Sequence, residues 1–316
     1  MARWTLESLG ALRHALPPYA DGTPPAAELE AFCADYGLLP ERDLPAVRHR
    51  CGRIESAGLP LAVHGWTVEG ATHNLLLVHG YFDHSGLYGK LVDFGLRQRC
   101  NVLIFDLPGH GLSGGESCVI DDFAEYGRAV ADVLQAGDMP PLPWRVIAQS
   151  MGAAALVEFA RQHRWPFQAT VLLAPLVRPA GWLRVSASHT LLRRFVDRVR
   201  RDFAENSSDV EFLAFVRNDP LQSSSIPVRW VGALRRWLKS LPPGDLGVGP
   251  ALLVQGDADR TVDWRYNLPV VERLFPGSRV EHIPGAGHQL ANESEALREQ
   301  YYALVSEYFA ACSTQV

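Results

Sequence analysis

The chain has 316 residues, 47% hydrophobic and 21% charged, enough for one large core with an insertion. A formal net charge of -5 argues against a nucleic-acid partner and against a strongly acidic one. MARWTLESLG at the N-terminus lacks the basic-then-apolar pattern of a signal peptide, and no window approaches the roughly 18 apolar residues of a membrane span, so a cytoplasmic protein is expected.

Residues 1–45 read as an N-terminal helical extension. Leu6, Leu9, Leu12 and Leu16 share one face of a first helix, which Pro17 and Pro18 stop. Thr23 can cap a second helix with Pro24 in its first turn, Leu29, Phe32, Cys33 and Tyr36 on its apolar face, and Gly37 at its end. Such stripes predict packing against a core. The five cysteines (Cys33, Cys51, Cys100, Cys118, Cys312) are odd in number and form no C-x-x-C pair, which points to free reduced thiols. The eleven histidines contain no H-E-x-x-H, so neither a metal nor a cofactor is expected.

From Arg48 to Val68 two β-like runs flank Ala57-Gly58, the pattern of an antiparallel hairpin. The apolar strand Asn74 to Gly80 then leads into the loop Tyr81-Phe82-Asp83-His84 and a helix from about Gly86 to Arg99. The strand NVLIFD, the loop Leu107 to Gly115, a helix from Asp121 to Gln135 and the strand Trp144 to Gln149 follow. This alternation predicts an α/β fold with a mostly parallel sheet, helices on both faces, and active groups at the carboxyl ends of the strands. Gly109, Gly111, Gly114 and Gly115 read as a tight surface turn, because their spacing is not that of a phosphate loop and no lysine follows.

After Ala169 to Pro175 the alternation breaks, and it resumes only at Ala251 to Asp259. The expected core is therefore 46–176 with 247–316, interrupted by a helical cap at 177–246. Within that cap, Gly181 to Ser240 carries 11 basic and 6 acidic residues, net +5, leaving -10 for the remainder. Leu192, Phe195, Val196, Val199 and Phe203 form one stripe at helical spacing; Trp230, Val231, Leu234, Trp237, Leu238 and Leu241 form another. Such stripes roof a core, or face an apolar substrate or a membrane surface.

At Ser150 the strand Trp144 to Gln149 meets a helix with almost no loop between. That junction has the form of a nucleophile elbow, a sharp turn flanked by the small Ala148 and Gly152, and it predicts positive φ at Ser150. An ordinary helix N-cap serine is the alternative. A serine hydroxyl needs a base, and the base a carboxylate to fix its tautomer. Downstream strand ends offer Asp257, Asp259 and Asp263, then His282 and His288. His282 lies within a strand and reads as structural, whereas His288 follows the flexible Gly285-Ala286-Gly287. Asp259 is preferred because it clears the strand end; Asp257 ranks second, and Asp263 reads as a helix cap. Backbone N–H groups of Met151 and Tyr81 are the expected oxyanion donors.

With these residues in place, the chain from about Arg48 onward resembles the α/β-hydrolase superfamily, and within it the monoacylglycerol lipase and lysophospholipase group of serine hydrolases. LLLVHGYFDHSGLY resembles that group's HG-x-x-EHS-x-x-Y loop, and FDLPGHGLSGG its FD-x-x-GHG-x-S-x-G turn. AQSMGA, QGDADRTVD and GAGHQLANE resemble its elbow, acid loop and histidine loop, and NDPLQSSSIPVRW the segment before its last cap helix. The resemblance implies Ser150 as nucleophile, Asp259 as acid and His288 as base, with Tyr81 and Met151 as oxyanion donors. Three features depart from it: Asp83 replaces a glutamate, Ala148 replaces a glycine, and the N-terminal helices have no counterpart.

The implied activity is cleavage of a lipid-like carboxylic ester with one acyl chain, with possible contact between the cap and a membrane surface. Amide, thioester or carbon–carbon bond hydrolysis could use the same groups, and a non-catalytic ligand-binding scaffold could use the same fold. A dehalogenase or epoxide hydrolase would carry aspartate at position 150.

Overall fold

A computed structural model describes residues 4–21, 26–40, 44 and 46–313. Helix α1 (Leu6–Ala15) opens on a capping box between Thr5 and Ser8 and buries Leu9 and Leu12, while Leu6 stays exposed. Helix α2 (Ala27–Asp35) buries Leu29, Phe32 and Cys33. Thr23, expected as its cap, and Pro24, expected in its first turn, lie outside the described residues, and the N-cap position is taken by Ala26.

Strands β1 (Val47–Ser56) and β2 (Leu59–Val68) pair antiparallel. The two residues joining them, Ala57 and Gly58, both have positive φ, as the hairpin turn matching strand twist requires. Alternation then runs through β3 (His73–Val78), α3 (Gly89–Arg97), β4 (Cys100–Phe105), α4 (Ala124–Ala136), β5 (Trp144–Gln149), α5 (Met151–Gln162) and β6 (Phe167–Leu173). Between β6 and the next strand of the main sheet come α6 (Trp182–Leu192), β7 (Arg198–Arg200), α7 (Val210–Asn218), β8 (Ser225–Pro227) and α8 (Val228–Ser240). The chain closes with β9 (Leu252–Gly256), α9 (Trp264–Leu274), β10 (Arg279–Ile283) and α10 (Glu295–Ser313).

The main sheet has the order β1-β2-β4-β3-β5-β6-β9-β10. Only its first three strands pair antiparallel, and from β4 onward every pairing is parallel. Because strand side chains alternate, Leu76, Val78, Val146, Ala148 and Leu172 share one core with α4, α5, α8 and α9. Their neighbours Leu75, Leu77, Ile147, Val171 and Leu173 share a second core with α1, α2, α3 and α10. The N-terminal helices thus thicken one layer of the expected α/β-hydrolase sandwich.

Three sequence expectations change. The helix expected over 86–99 is a 3₁₀ turn (Ser85–Tyr88) followed by α3. The glycine loop is no surface turn, since residues 107–114 are buried. Its anchor is the Asp106 carboxylate, which accepts from Leu112 N at 2.7 Å and from Ser85 N at 2.6 Å. The stripe from Leu192 to Phe203 is not one helix face: α6 ends at Leu192, and Arg198–Arg200 pairs antiparallel with Ser225–Pro227. Phe195, expected in that stripe, is 83% exposed. Of the second stripe, Trp230 to Leu238 lie on α8, which buries Trp230, Val231, Leu234 and Trp237, and Leu241 is its C-cap.

Candidate active site

Strand β5 passes straight into α5 through Ser150, whose φ of 53° and ψ of -115° are those of neither element. A non-glycine residue held there costs on the order of 1–3 kcal/mol, and the flanking bonds enforce it. Ser150 N donates to Leu173 O on β6, while Ser150 O accepts from Ala153 N and Leu176 N. Gly152 is needed for close approach: a Cβ there would stand 2.4 Å from Val78 O. Gly80 is similarly constrained, since its Cβ would meet Asp83 Oδ2 at 2.8 Å and the Ser150 Cβ at 3.2 Å. The loop after β3 therefore passes directly over the serine. Tyr81 follows Gly80 in that loop, and Met151, the residue after Ser150, is the first of α5.

His288, in the loop after β10, turns its Nε2 to within 2.9 Å of Ser150 Oγ and its Nδ1 to within 2.8 Å of Asp259 Oδ2. All three side chains are buried. Asp259 also accepts from Gln255 Nε2, Thr261 N and Val262 N. Burial would raise the Asp259 pKa, but the His288 charge and these bonds outweigh it and hold the carboxyl below its usual range. Burial alone would lower the His288 pKa; Asp259, assisted by Asp83, reverses this and raises it above the ordinary histidine value. The pair is poised for an imidazole that takes up a proton.

The other sequence candidates lie elsewhere. Asp257 is exposed and accepts from Gly285 N at 2.7 Å, bracing the histidine loop. Asp263 occupies the N-cap position of α9 but makes no cap bond, because its carboxylate takes the Arg178 guanidinium at 2.7 Å. His282 is exposed on β10, with its ring near Trp264.

Several neighbours escaped the sequence reading. Gln149 Nε2 donates to Gln289 Oε1, and Gln289 Nε2 donates to Asp83, which also accepts from Tyr88 Oη. This chain ties the elbow, the histidine loop and the loop after β3 together. Glu293 accepts from Gly287 N and from Ser208, fastening the 203–209 segment over the histidine loop. His84 meets Asp219 at 2.8 Å, and Tyr36 Oη donates to the same carboxylate at 2.7 Å, joining α2 to the segment after α7. Glutamines carry no motif signal; only the position of Gln149 and Gln289 beside Ser150 and His288 marks them.

In the segment between β6 and β9, α6, β7, β8 and α8 line a cleft of about 430 Å³ formed by Val185, Val199, Ile226, Val228 and Val231, with Arg184 and His189 also on its wall. The Tyr81 ring stacks on Trp230 of α8 at 3.8 Å between centroids, linking this segment to the loop over Ser150.

A model of the family described as "Serine aminopeptidase, S33" matches residues 70–295. Monoglyceride lipase of Mus musculus is 29% identical over 248 residues, covering 71% of this chain and 76% of the mouse protein. Monoacylglycerol lipase of Mycolicibacterium smegmatis is 26% identical over 251 residues, 75% of this chain and 89% of that one. The fold matches that of a soluble variant of monoglyceride lipase from Saccharomyces cerevisiae, solved with a substrate analog. That match has a TM-score of 0.70 at 18% identity and covers 83% of this chain and 94% of that one. With more than two thirds of its length matched and monoacylglycerol lipases among its relatives, the chain belongs to the serine aminopeptidase S33 family of α/β-hydrolases.

Proposed function

We propose that this enzyme, a lipid ester hydrolase, cleaves single-acyl-chain esters of the monoacylglycerol or lysophospholipid type through an acyl-enzyme on Ser150. The observation that carries the reading is the continuous contact from Ser150 Oγ through His288 to Asp259, at 2.9 and 2.8 Å. Ser150 Oγ attacks the ester carbonyl while His288 Nε2 takes its proton, and Asp259 holds the imidazole in the tautomer that presents Nε2 as a base. The N–H groups of Tyr81 and Met151 stabilise the oxyanion. On collapse, the ester C–O bond breaks and the alcohol leaves with the proton from His288. Water then repeats the sequence, with His288 as base, and releases the fatty acid.

Substrate class is supported by the relatives, named monoglyceride lipase and monoacylglycerol lipase, and by a relative from Bacillus subtilis named phospholipase YtpA. The apolar cleft between α6 and α8 has a volume in the range of small-molecule sites and offers room for an acyl chain. In this reading residues 177–246 are a cap over the core. Its exposed Leu183, Leu191 and Phe195, beside Arg193 and Arg194, form the face that meets an anionic lipid surface.

A panel of monoacylglycerols, lysophospholipids, short aryl esters, thioesters and aryl amides at matched concentration tests this. The expected result is highest kcat/KM on a single-chain lipid ester. Faster cleavage of the amide would move the activity to peptide-like bonds, and no turnover of any substrate by folded protein would favour a ligand-binding scaffold.

A further inference from the structure

On the layer opposite α5, three metal-ligating side chains converge that no sequence motif unites. Cys33 comes from α2, His49 from β1 and His64 from β2, and their ligating atoms all lie within 4.8 Å of one another. Strand register explains the meeting. Cys51 pairs with His64 and His49 with Trp66, so His49 and His64 are diagonal neighbours on the face that α2 covers. His49 Nε2 faces His64 Nδ1 at 3.2 Å, close to the separation of about 3.3 Å that two imidazole nitrogens adopt on one tetrahedral zinc. The His49 ring is held flat against Trp66 at 4.4 Å between centroids.

We propose that Cys33, His49 and His64 bind a zinc-class cation that clips the N-terminal helix α2 to the β1–β2 hairpin. One soft sulfur and two imidazoles suit zinc rather than magnesium or calcium. A ligating imidazole commonly has its other nitrogen fixed by a second partner, and His64 Nε2 lies 3.5 Å from Cys51 Sγ. With Nε2 turned to Cys51, Nδ1 is the His64 nitrogen that faces the site. Cys33 and His64 are fully buried, while half-buried His49 gives a route from solvent. In binding, His49 presents Nε2 and His64 presents Nδ1 as lone pairs, each neutral imidazole keeping its proton on the other nitrogen, and the Cys33 thiol gives its proton to solvent. One proton therefore leaves for each cation bound.

The test uses the full-length, reduced, metal-stripped protein titrated with Zn²⁺ against a chromogenic chelator, and with Co²⁺ while its absorption is followed. About one equivalent of Zn²⁺ is expected, together with a thiolate-to-cobalt charge-transfer band, release of about one proton per cation and a raised Tm. Cys33→Ala should abolish the band, and His49→Gln should weaken Zn²⁺ binding by about 100-fold or more, judged against the 10–100-fold typical of second-shell losses. His288→Ala should leave the band intact, separating this site from the one at Ser150. Absence of the band in the wild-type protein overturns the proposal without requiring any variant to fold. So does a band that survives Cys33→Ala or disappears with His288→Ala.

Discussion

The groups around Ser150 and the segment between β6 and β9 are built by opposite means. Ser150, Asp259, His288, Gln149 and Gln289 are buried and bonded to one another, whereas Leu183, Leu191 and Phe195 are 72–83% exposed. A buried polar group left unpaired costs about 1–3 kcal/mol, so each member of the first set holds its neighbours in place. The second set is fastened to the body partly by exposed ion pairs, Arg198 with Glu116 and Arg229 with Glu116 and Asp121. Pairs of that kind contribute roughly 0–1 kcal/mol each. Under the proposed function, the first region supplies the rigidity that bond making and breaking requires, and the second an exposed apolar face for a lipid.

Substitutions at the rigid end should have the largest effects. Ser150→Ala and His288→Ala are each expected to lower kcat by about 10⁶-fold, with the double variant hardly worse, because the groups act as a unit. Additive losses in steady-state assays would break that unity. Asp259→Asn should cost roughly 10⁴-fold by favouring the wrong imidazole tautomer, while Asp257→Asn should leave kcat within a few-fold. If the two aspartate variants exchanged these outcomes, the acid would be misassigned.

Gly152→Ala pushes a methyl group into the Val78 carbonyl and should cost about 1–3 kcal/mol in chemical denaturation, with activity falling as the elbow shifts. An unchanged midpoint would mean the junction is looser than its geometry implies. His288 must be neutral to act as a base, and Asp259 raises its pKa. The rate kcat/KM should therefore fall as pH drops through a value above the ordinary 6.5 or so, and level off at higher pH. A limb well below that value would contradict the buried pair.

The smallest effect belongs to the looser region. Screening beyond about 10 Å at 0.1 M salt should weaken hydrolysis of a lysophospholipid in anionic vesicles several-fold, yet leave a short aryl ester nearly unaffected. Parallel salt curves for the two substrates would instead mean that the ion pairs to Glu116 and Asp121 hold the segment closed, and that salt releases it.

The same contrast separates what could be read from the sequence. Short-range patterns point to Ser150, Asp259 and His288, which the structure brings into contact, because each follows a strand end with a turn of strict geometry. Asp257 and Asp259 stand two residues apart after β9, and the path of that turn alone decides that Asp259 meets His288 while Asp257 takes Gly285 N. Helical spacing misled across 192–203, where pairing of Arg198–Arg200 with Ser225–Pro227 overrides the apolar period. The glycine loop looked like surface because its polar anchor, Asp106, lies outside the pattern. Cys33, His49 and His64 are separated by 16 and 15 residues, and only strand register and the packing of α2 bring them together.

If Ser150 is the activated nucleophile, a fluorophosphonate probe should modify it and peptide mapping should find the adduct there. A single adduct, on Ser150, is expected, formed rapidly in the wild-type protein and in Asp257→Asn and lost in folded His288→Ala. An adduct on another residue, or undiminished labelling of Ser150 without His288, would contradict it.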